Sequence, residues 1–273
     1  MPAPKMLAVM FSGGTDSTYA ALTQIPNYDR ICLVTFMRAG FRKKENINAA
    51  ADSLKKAFPN KDIFHQKVDF NDIYQKITPH QEKNKVQEAV LNQTIAPLWE
   101  DPHGSIIGLE QYNKNKHTLF LTNECLQCKI AMELAALRFC KGNHITDICD
   151  GSNTEQLDDG SQLEDVKIIA RKIFRQFGIN YFSPAFHISA KEHCKALFDA
   201  KITDHLQHKT LEKNHQIPSR QVQCTVPASV LWTICIFPWL VYDGQSCNDY
   251  IKMCCDYFSM QMKKGLEVMG LKV

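Results

Sequence analysis

The sequence predicts an α/β fold: a parallel sheet with helices on both faces, followed by a smaller, mostly helical C-terminal region. Three observations predict it. Short apolar runs alternate with helical spacing from Met6 to Ile77. A glycine-bearing loop joins the first apolar run to the first helix, and the strand–helix alternation resumes after a weak stretch near residues 80–120. Such βαβ alternation places consecutive strands parallel and covers the sheet with the intervening helices.

The elements follow in order. Met6 to Phe11 is a continuous apolar run of the kind that fills a central parallel strand. A helix begins near Asp16–Ser17 and runs through Leu22. Ile31 to Phe36 is a second strand. Lys43 to Phe58 carries Ile47, Ala50, Ala51, Leu54 and Phe58 on one helical face. Ile63 to Val68 is a third strand, and Asn71 to Ile77 begins another helix. Pro79, Pro97, Pro102, Gly104 and Gly108 punctuate residues 80–120, which reads as an irregular insertion. A helix over Cys125–Phe139, a strand over Ile145–Asp150 and a helix over Gln162–Phe177 restore the pattern. Tyr181 to Pro184 reads as the exit from this domain, expected to span residues 1–186. Residues 187–273 are expected to be helical, with a break around Ile217–Pro218.

Composition narrows the function classes. Of 273 residues, 44% are apolar and 22% charged, so a folded chain with a sizeable core is expected. A net charge of +3 neither requires nor excludes a nucleic-acid partner, because a local basic face matters more than the total. Met1 to Phe11 lacks the basic and long apolar regions of a secretory signal. Val230 to Tyr242, the longest apolar run, is too short to span a bilayer and contains Pro238. A cytoplasmic protein with no membrane partner is the expectation. The cysteine count is odd, at eleven, which argues against a disulfide framework and for mostly buried thiols.

The loop Ser12-Gly13-Gly14-Thr15-Asp16-Ser17 follows a strand and opens a helix. Gly13 and Gly14 permit a close backbone approach. The N–H groups at the helix start, with the hydroxyls of Ser12, Thr15 and Ser17, form a cradle for a polyanion. Asp16 would repel bare phosphate, so it points to Mg2+ or to helix capping. The hexapeptide resembles the SGGxDS signature of the PP-loop (N-type) ATP pyrophosphatases, and it lacks the Gly-Lys-Ser/Thr ending of a Walker A loop. The resemblance implies an adenine nucleotide alpha-hydrolase-like fold that binds ATP and splits it into AMP and pyrophosphate. Thr35 and Phe36, at the end of the second strand, fall where such a fold places adenine. Gly151, Ser152 and Asn153 resemble the strand-end turn that closes the nucleotide pocket in that family; a polar turn is the plainer interpretation.

Cys125 and Cys128 start a helix, where residues i and i+3 share a face and the helix N-terminus and Lys129 favour thiolates. A lone C-x-x-C leaves zinc, an iron–sulfur cluster, a redox pair and coincidence open. The stretch Cys125 to Asn153 resembles the C-x-x-C-K, helix, D-G-[ST]-N block of the sulfur-transfer branch of the family, in particular the LarE-type sulfur transferases and tRNA thiolases. Ser183-Pro184, Lys191 in Ser-Ala-Lys-Glu, and Cys224 in Ser-Arg-Gln-Val-Gln-Cys continue it in order. That resemblance implies a three-cysteine site of Cys125, Cys128 and Cys224, holding a [4Fe-4S] cluster or acting on sulfur directly. Zinc is the alternative, with His187 or His215 as fourth ligand.

Five of the ten histidines and several lysines lie between His187 and His215, which reads first as a solvated helical surface and second as a phosphate-binding face. Lys191 stands apart through its motif. The expectation is therefore an ATP-dependent sulfur transferase: Asp16 and Mg2+ stabilise pyrophosphate, Lys191 reaches a phosphate, and Cys224 joins the sulfur chemistry. Its partners would be ATP, a sulfur donor and an acceptor that is either tRNA or a small molecule; a homodimer is among the expected assemblies. The alternatives are a zinc-containing amide- or nitrile-forming ligase of the same fold using ammonia, and a non-catalytic nucleotide-binding protein.

Overall fold

Alternation along the first strand sets the layering. The computed structural model describes residues 4–38, 46–78, 108–115, 124–155, 159–203 and 236–271. In β1 (Met6–Met10), Leu7 and Val9 pack on one side of the sheet while Ala8 and Met10 pack on the other. β2 (Arg30–Met37) divides likewise, with Ile31 and Leu33 opposite Cys32, Val34 and Phe36. Side chains of a strand alternate between faces, so a strand apolar at every position must be covered on both.

Five strands form one sheet in the order β3-β2-β1-β4-β5, adding β3 (Asp62–Asp69), β4 (Asp147–Cys149) and β5 (Asn180–Phe182). Every neighbouring pair is parallel. The chain builds outward from β1 to β2 and β3, then returns to lay β4 on the other side of β1. The strand order thus reverses between β1 and β4, and the crevice beyond their carboxyl ends is where an open α/β sheet takes ligands.

One face carries α1 (Thr15–Gln24), α2 (Asn46–Ala57) and α7 (Ala190–Asp199), through Ala20, Ala21, Ile47, Leu54 and Leu197. The other carries α3 (Asn71–Ile77), α5 (Glu124–Gly142), α6 (Glu164–Gln176) and α9 (Cys247–Val268), through Ile73, Leu134, Phe174 and Phe258. Both α7 and α9 start with reciprocal capping boxes, Ser189 with Glu192 and Ser246 with Asp249. Two short helices, α4 (Leu109–Asn115) and α8 (Phe237–Tyr242), pack together.

The fold class is the expected one. Tyr181–Phe182, read from sequence as a domain exit, belongs to a fifth strand paired with β4. The C-terminal helix α9 packs on α3, α5 and α6, sharing the hydrophobic core under the sheet. Most of the 80–120 insertion, the Ile217–Pro218 break and Cys224 lie outside the described residues. No helix among the described residues is long and apolar enough to cross a membrane.

Candidate nucleotide and thiol site

The Ser12–Ser17 loop is braced by its own side chains. Gly13 takes φ +76°, a left-handed conformation that glycine alone adopts without strain. The Gly14 N–H donates to Ser12 Oγ at 3.3 Å, and Ser17 Oγ donates to the Gly14 carbonyl at 3.1 Å. The Ser12 N–H in turn donates to Ser17 Oγ at 3.3 Å. These bonds hold the start of α1 in place, where helix geometry leaves first-turn N–H groups without carbonyl acceptors in the helix.

The loop opens into a cavity of about 300 Å³ at the β1/β4 switch point. Ser12, Gly14, Thr15, Asp16 and Ser17 form one wall, and Thr35 and Phe36 from the end of β2 form another. Gly151 and Ser152 close it from β4. Cys125, Cys128 and Lys129, from the first turn of α5, line the same space. Residues from four separate stretches of the sequence therefore meet over one sheet edge.

Each predicted residue has a definite place. Thr35 Oγ1 donates to the Phe11 carbonyl at 2.7 Å and accepts from His65 Nε2 at 2.8 Å. Burial, then the charges of Lys67 and Lys55, lowers the His65 pKa. Because the Thr35 hydroxyl proton is given to Phe11, the hydroxyl can only accept from the ring, which puts a proton on His65 Nε2. Asn153 lies behind the cavity wall: its N–H donates to Gln162 Oε1 at 3.0 Å and its Nδ2 to the Ile188 carbonyl at 3.3 Å. Lys191 is exposed on the first turn of α7, outside the cavity lining. His187 is also exposed, 3.9 Å from Glu164.

Cys128 is buried and accepts from Arg38 Nε at 3.4 Å, while the Arg38 guanidinium stacks 4.3 Å over the Tyr74 ring. Arg38 thus sets a cation against Cys128, while the neighbouring Lys129 is bonded to Asp150. Two soft donors one helical turn apart suit iron or zinc. No group of three or more His, Cys, Asp or Glu side chains arranged for a metal occurs among the described residues. Elsewhere, burial pushes the Cys32 and Cys140 thiols up to about 12, as expected of core cysteines.

Two arrangements escaped the sequence, although Lys129 and Asp150 of the first lie within the C-x-x-C-K to D-G-[ST]-N block. The first is a buried charge network beneath the strand-end turn. Asp150 Oδ2 accepts from Lys129 at 2.6 Å, Lys167 at 3.0 Å and Tyr181 at 2.6 Å. Its other oxygen accepts from Ser183 Oγ at 2.6 Å. Glu133 joins through Lys167 at 3.2 Å and Tyr181 at 3.0 Å. Burial alone would raise the Asp150 pKa, but Lys129 and Lys167 outweigh it and hold the carboxyl well below its ordinary value. For Lys129, burial is likewise outweighed by Asp150 and Glu133, and its pKa is raised. Two lysines and two carboxylates leave the network neutral, the condition for burying charge at all. The second feature is His193 on α7. It is fully buried, stacks on Tyr19 at 4.2 Å, and its Nδ1 lies 2.8 Å from Asp16 Oδ1. Helical spacing alone would mark His193 as a core residue, and only the packing of α7 on α1 brings it to the loop.

No family model matches the chain, and no curated protein matches it. Among solved structures, a 4-thiouridine synthetase in complex with RNA and bound ATP is similar at 10% identity and a TM-score of 0.44. That match covers 96% of this chain and 53% of the other, so the chain spans about half the length of that protein. The U34-tRNA thiolase NcsA from Methanococcus maripaludis, with its [4Fe-4S] cluster, is similar at 12% identity and a TM-score of 0.42. There the match covers 95% of this chain and 72% of the other.

Proposed function

We propose that the chain is an ATP-dependent sulfur transferase of the PP-loop type. One observation carries the proposal: the Ser12–Ser17 loop and the Cys125/Cys128 pair line a single cavity. A nucleotide-activating loop and a pair of cysteines one helical turn apart have little reason to share a space unless one acts on the product of the other.

The roles follow from position. The first-turn N–H groups of α1 hold the β and γ phosphates of ATP, with Mg2+, bound by Asp16, balancing their charge. Thr35 and Phe36 take the adenine end. An acceptor oxygen attacks the α phosphorus; the new O–P bond forms as the bond to the β-phosphate oxygen breaks, and pyrophosphate leaves with the electron pair. A sulfur nucleophile then attacks the activated carbon, forming C–S as C–O breaks and AMP departs. Cys125 and Cys128, with Cys224 by sequence, would hold a [4Fe-4S] cluster, which supplies an open iron position for sulfide; zinc is the alternative occupant. Residues 1–186 hold the nucleotide loop and the Cys125/Cys128 pair in this reading, 187–273 add Cys224 by sequence, and Lys191 is assigned to a phosphate of the acceptor.

The test is anaerobic purification with iron and zinc analysis, followed by turnover with ATP labelled at the α phosphate. Sulfide and either bulk tRNA or a panel of small carboxylates and amides are supplied. AMP and pyrophosphate in equal amounts, with sulfur recovered in one acceptor class, support the proposal and choose the acceptor. ADP and phosphate as products would sink it. Ammonium stimulation that is indifferent to Cys128→Ser would point instead to an amide-forming ligase.

A further inference from the structure

We propose that His193 is the positioning residue for Asp16, fixing the loop carboxylate to receive Mg2+ and the ATP phosphates; this rests on the nucleotide reading of the cavity. The ionised carboxylate can only accept, so the 2.8 Å contact assigns the donor: Nδ1 carries the proton, and Asp16 Oδ1 takes it. His193 is fully buried, and its Nε2 has no hydrogen-bond partner among the described residues. A buried polar atom left without a partner is costly. The ring is nevertheless held there, by its stack on Tyr19 one turn along the same helix as Asp16. Such an arrangement fixes both the tautomer and the orientation of the imidazole, as the outer partners of metal-binding groups do.

The geometry also explains why the contact comes from α7. The segment leading into that helix is hydrogen-bonded to the strand-end turn. Thr154 N–H donates to the Phe186 carbonyl at 3.0 Å, and Asn153 Nδ2 reaches the Ile188 carbonyl. Ala190 N–H donates to Glu155 Oε2 at 3.3 Å. His193 therefore holds Asp16 from a helix whose start is hydrogen-bonded to the strand-end turn, which itself lies against Ser17.

The test uses the full chain and two substitutions. His193→Phe keeps an aromatic ring against Tyr19 and removes the donor; His193→Asn keeps a donor near the Nδ1 position. Binding of Mg-ATP and of AMP is measured by calorimetry, and circular dichroism checks the fold. The Phe variant is expected to raise the Mg2+ concentration needed for half-maximal ATP binding about tenfold to a hundredfold. AMP, which lacks the β and γ phosphates, should bind as before. The Asn variant should recover most of the loss. A folded Phe variant with unchanged Mg2+ dependence overturns the proposal, as does equal loss of AMP and Mg-ATP binding.

Should the Phe variant fail to fold, the wild-type protein decides the matter. With labelled histidine, the His193 Nδ1 resonance is expected to shift when Mg2+ joins ATP, and an unmoved resonance overturns the assignment. A wild-type chain that binds no nucleotide would defeat this inference and the proposed function together. One that binds Mg-ATP without releasing pyrophosphate would defeat only the proposed function.

Discussion

The backbone of Gly151 lies against that of Ser17 so closely that no side chain fits between them. A Cβ on Gly151 would overlap Ser17 N and stand 2.6 Å from the Asp16 carbonyl carbon and from Ser17 Cα. The obstructing atoms are all backbone, so no rotamer change relieves the contact. The strand-end turn and the Ser12–Ser17 loop, distant in sequence, thereby form one surface. Substituting Gly151→Ala should separate them, costing about 1–3 kcal/mol of stability by overpacking. Mg-ATP binding should fall at least tenfold in the fraction that remains folded, a factor that corresponds to about 1.4 kcal/mol. Thermal melts with and without Mg-ATP check both: the variant should lose the ligand-induced rise in Tm.

Removing one cation from the buried network should be severe. Lys167→Met leaves two buried carboxylates sharing Lys129, and a broken buried pair costs about 3–5 kcal/mol. Adding Glu133→Gln restores local neutrality and should return part of that loss, as read by urea unfolding. The network also sets an acid dependence. Because the folded-state pKa of Asp150 is depressed, its contribution is fully present above the unfolded value of about 4 and is lost as pH falls below it. Urea stability measured from pH 7 down to pH 3 should therefore drop more steeply for the wild type than for Asp150→Asn.

The paired thiols should separate metal binding from nucleotide binding. Cys125→Ser and Cys128→Ser are each expected to lose bound iron or zinc and sulfur transfer, while Mg-ATP affinity stays within about twofold, a difference worth less than 0.5 kcal/mol. Metal analysis beside calorimetry makes the distinction. Equal loss of both properties would mean that the cysteines serve the structure of the nucleotide pocket.

Helix α9 should unfold together with the sheet. Gly265 faces Leu134 of α5, and a Cβ there would overlap Leu134 Cδ1 and stand 3.1 Å from its Cγ. Gly265→Ala is expected to destabilise the whole chain by about 1–3 kcal/mol through overpacking of this seam. A single cooperative transition, shifted as a unit, is the expected outcome; a separate early transition for the C-terminal helix would contradict it.

What the sequence determined by itself was local and periodic. Apolar runs at Met6–Phe11 and Ile31–Phe36 can only be satisfied by burial on both faces, so the covered parallel sheet was legible. The glycine loop at Ser12–Ser17 was legible too as a strand–turn–helix start, because these parts are contiguous and their geometry depends on neighbours along the chain. The C-x-x-C was visible as a pair on one helical face, but not its setting. Only the tertiary structure decided that Cys128 meets Arg38, that Lys167 lies under Asp150, and that β5 pairs beside β4. It alone brought His193 against Asp16. These contacts join residues 17 to 177 positions apart, and such pairs leave no periodicity to read. Their charges and hydroxyls are ordinary surface chemistry in the sequence. Only when packing takes them out of water must each find a partner, and that requirement makes the site.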